Sequence, residues 1–209
     1  MSADLRVCFI GESFVAGVGD PTCLGWAGRL AARASSAGQP LTYYNLGIRG
    51  ETSTELRGRW AAECAPRLPA GTDARLVIST GANDTHHRDG SHPRVAPEQS
   101  VENLAAILAG ARDQGWPVLV VAPPPVADAA HNDRMVALDE RFAVLCAGAG
   151  VSYARTHQPL RANPIWMREV AAVDGAHPAA AGYREFAELL APHWLLWLSD
   201  PHGGTAAMG

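Results

Sequence analysis

The chain contains no lysine; all 17 of its basic residues are arginine. Two chemistries are thereby excluded, because neither the lysine of a phosphate-binding loop nor a Schiff-base amine can be supplied. Positive charge is also in deficit, with 21 acidic residues against 17 basic ones and a formal net charge of -4. Proteins that track a nucleic-acid backbone carry a clustered basic surface, so no nucleic-acid partner is expected. No apolar run approaches the ~18 residues that a membrane-spanning helix requires, so no membrane span is expected either. The cysteines Cys8, Cys23, Cys64 and Cys146 form no C-x-x-C pair, and neither a zinc site nor a dithiol redox motif is suggested. The opening residues Met1-Ser2-Ala3-Asp4-Leu5-Arg6 lack the apolar stretch and cleavage site of a secretory leader. With widely spaced thiols, this reads as a cytoplasmic protein in a reducing compartment.

What the chain has in quantity is apolar residues, 47% of 209. That suits one core, since single cores grow to roughly 250 residues before chains split. We expect one domain over 1–198 and a small-residue, glycine-rich tail over 199–209 that frays. Short apolar runs over 5–10, 41–46, 75–79, 118–122 and 151–154 read as strands. Stretches over 26–35, 52–64, 100–112, 132–147 and 178–190 read as helices. Thr52 followed by Glu55 has the spacing of a capping box. Cys8, inside the first apolar run, reads as a small core residue. Strand and helix alternating in this way imply an α/β fold, a parallel sheet covered on both faces with right-handed crossovers. Function in such folds collects beyond the C-terminal ends of the strands. Three predicted strands run there into glycine or polar residues: Gly11-Glu12-Ser13, Gly47, and Thr80-Gly81-Ala82-Asn83-Asp84.

Near the C-terminus, Asp174-Gly175-Ala176-His177-Pro178 places a carboxylate and an imidazole three residues apart on a turn into a helix. With Ser13 they make up the parts of an acyl-transfer engine. A serine hydroxyl is a poor nucleophile at neutral pH and needs a base to take its proton and a carboxylate to hold that base in the right tautomer. Acyl transfer also needs donors aimed at the developing oxyanion. Gly47 can offer a backbone N–H that no side chain blocks, and Asn83 a side-chain amide. Each residue has an ordinary reading as well: Ser13 as a cap, Asp174 and His177 as a solvated helix start, Gly47 as a turn glycine, Asn83 as an Asx turn. Chemistry is favoured because all these segments fall on one predicted edge. His86, His87 and His92 cluster in a polar loop over 84–99 and read as a solvated loop or a rim around the substrate rather than as a metal site, so no metal is expected. His131, His157, His193 and His202 have no partner pattern and read as structural or exposed. Trp194-Leu195-Leu196-Trp197-Leu198 reads as core packing, with a homo-oligomer contact as the alternative. Trp166 and Met167 suit either an apolar pocket wall or the core.

Taken together, these blocks resemble the SGNH hydrolases, also called GDSL-type esterases and lipases, from Val7 to about Trp194. The family's Gly-Asp-Ser block is similar to Gly11-Glu12-Ser13, and its Asn-x-Gly block to Asn45-Leu46-Gly47. Gly-x-Asn-Asp matches Gly81-Ala82-Asn83-Asp84, and Asp-x-x-His-Pro matches Asp174 to Pro178. The resemblance implies a flavodoxin-like three-layer α/β/α sandwich with a five-stranded parallel sheet. It implies Ser13 as nucleophile, His177 as general base and then acid, and Asp174 as the orienting carboxylate. The implied oxyanion hole is the Ser13 and Gly47 N–H groups with the Asn83 side chain. The implied activity is cleavage of a small-molecule carboxylic ester or thioester, with no cofactor. Acyl transfer or sugar deacetylation by the same triad is the alternative, and a non-catalytic binding module the more distant one. Glu12 and Phe14 depart from the usual Asp and Leu. The longer acid at position 12 bears on how the nucleophile turn is braced.

Overall fold

The computed structural model describes residues 4–87 and 92–200. Its centre is strand β1 (Leu5–Gly11), whose side chains alternate between two apolar clusters. Val7 and Phe9 enter one, Cys8 and Ile10 the other, as the two-residue period of a strand buried on both faces requires. Strands β2 (Thr42–Gly47), β3 (Asp73–Ser79), β4 (Val118–Val121) and β5 (Ser152–Ala154) complete one sheet in the order β2-β1-β3-β4-β5, every neighbouring pair parallel. This is the flavodoxin-like order. It reverses direction between β1 and β3, where loops diverge and leave a crevice.

Helices α2 (Gly25–Ser36), α7 (Pro164–Val173) and α8 (Ala180–Ser199) cover the Val7 and Phe9 face. Helices α3 (Ser53–Cys64), α4 (Pro97–Asp113) and α5 (Ala129–Ala149) cover the other. The result is a three-layer α/β/α arrangement. Helix α3 begins with the expected capping box: Thr52 accepts from the Glu55 N–H, and the Glu55 carboxylate accepts from the Thr52 N–H.

The boundaries differ from expectation where caps and tertiary packing act together. Helix α4 starts at Pro97 rather than 100, because proline at the first helical position gives up only a donor that would be orphaned anyway. Helix α5 starts at Ala129 rather than 132, capped by Asp128, whose Oδ1 accepts from the His131 N–H at 2.7 Å. Three helices were not expected: α1 (Ser13–Ala16), α6 (His157–Arg161) and α7. The first two are single turns with no period to read. Helix α7 has a readable start in Asn163-Pro164, with the Asn163 Oδ1 accepting from the N–H groups of Ile165 and Trp166.

Helix α8 runs through Pro192 to Ser199. An interior proline costs ~3 kcal/mol. Burial of Trp194, Trp197 and Leu198 offsets it, and the Trp194 indole donates to Leu30 O at 3.0 Å. Within that apolar run Leu196 remains half-exposed. Of the tail expected from 199 onward, Ser199 closes α8 and Asp200 O accepts from Arg75 at 3.1 Å; residues 201–209 lie outside the described ones. The four cysteines are unpaired, three of them buried, and no helix among the described residues is long and apolar enough to cross a membrane.

Candidate active site

The three expected strand ends lie level. Gly11 is in register with Gly47 on one side and with Ser79 on the other, so the segments that follow β1, β2 and β3 leave the sheet at the same height. Arg59 on α3 reinforces this, donating to Leu46 O at 2.8 Å and to Gly11 O at 3.4 Å.

After Gly11 the chain turns at once into α1, with extended Glu12 as its cap and Ser13 as its first residue. The first intrahelical bond runs from the Ala16 N–H to Glu12 O at 3.1 Å, so the Ser13 N–H precedes it and has no helical acceptor. Gly47 lies against this turn. A Cβ there would stand 2.3 Å from Ala16 N and 2.8 Å from Glu12 O, which glycine alone avoids.

The C-terminal segment closes on the same turn. Gly19, at φ +91°, packs so near the His177 turn that a Cβ would lie 2.5 Å from Pro178 O. Tyr183 on α8 donates to Val18 O at 2.8 Å. His177 Nε2 is thereby brought to 2.7 Å from Ser13 Oγ, and His177 Nδ1 to 2.8 Å from Asp174 Oδ2. A carboxylate oxygen only accepts, so the imidazole proton sits on Nδ1 and Nε2 is left to accept from the serine hydroxyl. Asp174 Oδ1 takes the N–H groups of Ala176 and His177 at 3.0 and 2.8 Å, which fixes the turn. Burial raises the Asp174 pKa, but these bonds outweigh it and hold the group at about 2, ionised at any physiological pH. Ser13 and His177 are buried, and the Phe14 ring lies 5.0 Å from the imidazole.

Asn83 lines the same cavity as Ser13. Its Nδ2 donates to Glu12 Oε2 and to Glu51 O, both at 2.9 Å. Glu12 is 1% exposed and also accepts from the N–H groups of Ala82 and Asn83, each at 3.2 Å. Burial, then the charge of Asp84, pushes its pKa up to about 8 against those three bonds, so it is largely neutral at pH 7. The Gly47 N–H donates to Asn45 Oδ1 at 3.0 Å, and Gly47 does not line the cavity.

The cavity, about 700 Å³, opens beside Ser13 and His177. Phe14, Val126 and Ala127 form its apolar part, and His86, His87, Arg94, His131 and Arg134 the polar part. His86 and His87 belong to the loop expected to form a rim, whereas His92 does not line the cavity and residues 88–91 lie outside the described ones. Trp166 and Met167 are not wall residues: the first is wholly buried and donates to Pro125 O at 2.9 Å, and the second packs on the core.

Asp128, His131 and Arg134 on the first turns of α5 were not singled out as site residues. His131 has no local pattern, and only the rule that function lies beyond strand ends, applied to the loop after β4, would have found it. Its Nε2 lies 2.9 Å from Ala82 O and 3.1 Å from Thr85 Oγ1, and burial keeps its pKa below the ordinary histidine value. Among the described residues no group of three His, Cys, Asp or Glu side chains is placed to hold a metal ion.

With this geometry in hand, comparison with known proteins gives consistent results. The family model for GDSL-like lipases and acylhydrolases matches residues 9–185. Esterase TesA of Pseudomonas aeruginosa is 32% identical over 192 residues, covering 88% of this chain and 84% of the relative. The lipase/acylhydrolase from Enterococcus faecalis superposes with a TM-score of 0.74 at 19% identity, over 90% of this chain and 94% of that one. The acetylxylan esterase from Geobacillus stearothermophilus superposes with a TM-score of 0.72 at 16% identity, over 93% and 96% of the two chains. At such identities the last two likenesses concern the fold.

Proposed function

The chain belongs to the GDSL-like lipase/acylhydrolase family and is a carboxylic ester hydrolase, and from that premise we propose that it works through an acyl-serine intermediate on Ser13. Ser13 Oγ attacks the ester carbonyl carbon as His177 Nε2 takes the hydroxyl proton. Asp174 stabilises the resulting imidazolium and stays ionised. His177 then delivers that proton to the departing alcohol oxygen, the carbon–oxygen bond breaks, and the acyl group remains on Ser13. Water attacks this second ester, gives a proton to the same nitrogen, and the acid leaves as Ser13 is reprotonated. Only side chains, backbone amides and water take part, so no cofactor enters the scheme.

The observation that carries this reading is the unbroken relay of 2.7 Å from Ser13 to His177 and 2.8 Å from His177 to Asp174. We assign the oxyanion hole to the Ser13 N–H, the Asn83 amide and the Gly47 N–H. Gly47 would share its hydrogen between Asn45 and the oxyanion. Asn83 would turn one N–H from Glu12 toward the oxyanion, which a neutral carboxyl releases more readily than a carboxylate would. A reducing compartment suits the four unpaired cysteines, and we place the enzyme in the cytoplasm.

Hydrolysis of short p-nitrophenyl esters by wild type and Ser13→Ala tests the proposal. The variant should lose roughly 10⁴-fold or more in kcat while staying folded. Equal rates would remove Ser13 as nucleophile.

A further inference from the structure

One guanidinium in the cavity wall has no anionic partner among the described residues. Arg134 stands half-buried on the second turn of α5, and its Nε donates to Thr85 O at 2.8 Å. Thr85 follows Asn83 by two residues, so Arg134 is held by the same turn that carries the proposed oxyanion donor. That single bond sets the plane of the guanidinium. Neither terminal nitrogen has a hydrogen-bond partner among the described residues, and no carboxylate oxygen of those residues lies within 4.0 Å.

The other charged groups lining the cavity are engaged. Arg94 donates to Gly50 O at 2.8 Å and lies 3.8 Å from Glu55. Asp128 caps α5 through the His131 N–H at 2.7 Å, and Asp174 is held by His177. His131 is kept below its ordinary pKa by burial, and the Arg134 charge acts in the same direction. A planar fork fixed at its Nε, with both terminal nitrogens unpartnered among the described residues and facing a cavity, matches two oxygens of a carboxylate or phosphate.

We propose that Arg134 is a specificity-determining residue that receives a carboxylate or phosphate carried by the substrate away from the scissile bond, so that this esterase prefers anionic esters. The proposal rests on hydrolysis occurring at the Ser13 cavity. The anion has two possible sources, the acyl half or the alcohol half, and matched substrates separate them. For the acyl half, p-nitrophenyl hydrogen succinate is compared with p-nitrophenyl butyrate. For the alcohol half, the butyrate ester of 2-hydroxyethyl phosphate is compared with 2-hydroxyethyl butyrate.

In wild type, kcat/KM should favour the anionic member of one pair by roughly tenfold or more, the scale of a charge-assisted bond. Arg134→Met should remove that preference. Arg134→Lys should lower it, because the charge remains but the fork is lost, and this variant carries the test if the methionine variant does not fold. A smaller preference than this in both pairs, or an undiminished preference in the folded variants, would overturn the proposal. Ser13→Ala, assayed on all four esters, tests the nucleophile separately. If it retains activity while the preference still depends on Arg134, the acyl-serine reading fails and this one stands.

Discussion

Glu12 adjoins Ser13, the proposed nucleophile, in the chain, and its burial has a consequence for stability. In the unfolded chain its carboxyl titrates near 4.5; in the fold, burial first and the charge of Asp84 second push it up to about 8. Between those values the unfolded chain releases a proton that the folded chain retains. Stability from this group is therefore complete below pH 4.5 and is lost as pH rises toward 8, by on the order of a few kcal/mol. Glu12→Gln cannot ionise. Its urea midpoint should fall less between pH 5 and pH 8 than that of wild type. Parallel curves would show that Glu12 is charged throughout. The residue scale is also where the sequence was least informative. Asp174 and His177 announced themselves by spacing, but nothing near His131 or Arg134 in the chain marks a cavity wall. Their placement comes from Asp128 starting α5 early and turning its first two turns toward the Thr85 turn.

At the scale of elements, the site exists because turns from opposite ends of the chain press against each other. The loop after α1 meets the Pro178 turn at Gly19, and Gly47 meets α1 from β2. Gly19→Ala should lose roughly 1 kcal/mol to its left-handed backbone alone, plus the cost of a Cβ 2.5 Å from Pro178 O. Displacing His177 by an ångström should cost about a hundredfold in kcat/KM. Gly38→Ala is the control. Its φ of +84° imposes the same backbone strain, but nothing lies within 4 Å of the added methyl, so stability should drop and kcat/KM should hold. Urea midpoints and ester kinetics of the two variants check this; equal activity in both would mean that the Gly19 contact does not position the imidazole. The inner strands β1, β3 and β4 were legible in the sequence because a strand buried on both faces is an uninterrupted apolar run. Helices α1 and α6 were not, since one turn carries no period. Proline at 97 and at 192 obscured the ends of α4 and α8, because its effect depends on position and on what the flanking residues bury.

Across the whole molecule, the sheet order explains why a serine at position 13 and a histidine at position 177 can form one device. Strand β1 lies inside the sheet, with β2 and β3 on its two sides, so the turn after it sits at the crevice where the order reverses. Helix α8 packs on α2 and α7 and so carries the turn preceding it back across that crevice. Reaction with a fluorophosphonate, followed by mass spectrometry of the resulting peptides, tests this most directly, because phosphonylation needs a serine that a neighbouring base has activated. The account predicts one adduct, on Ser13, forming at least a hundredfold more slowly in His177→Ala. An adduct on another residue, or labelling of Ser13 at an undiminished rate in that variant, would contradict it.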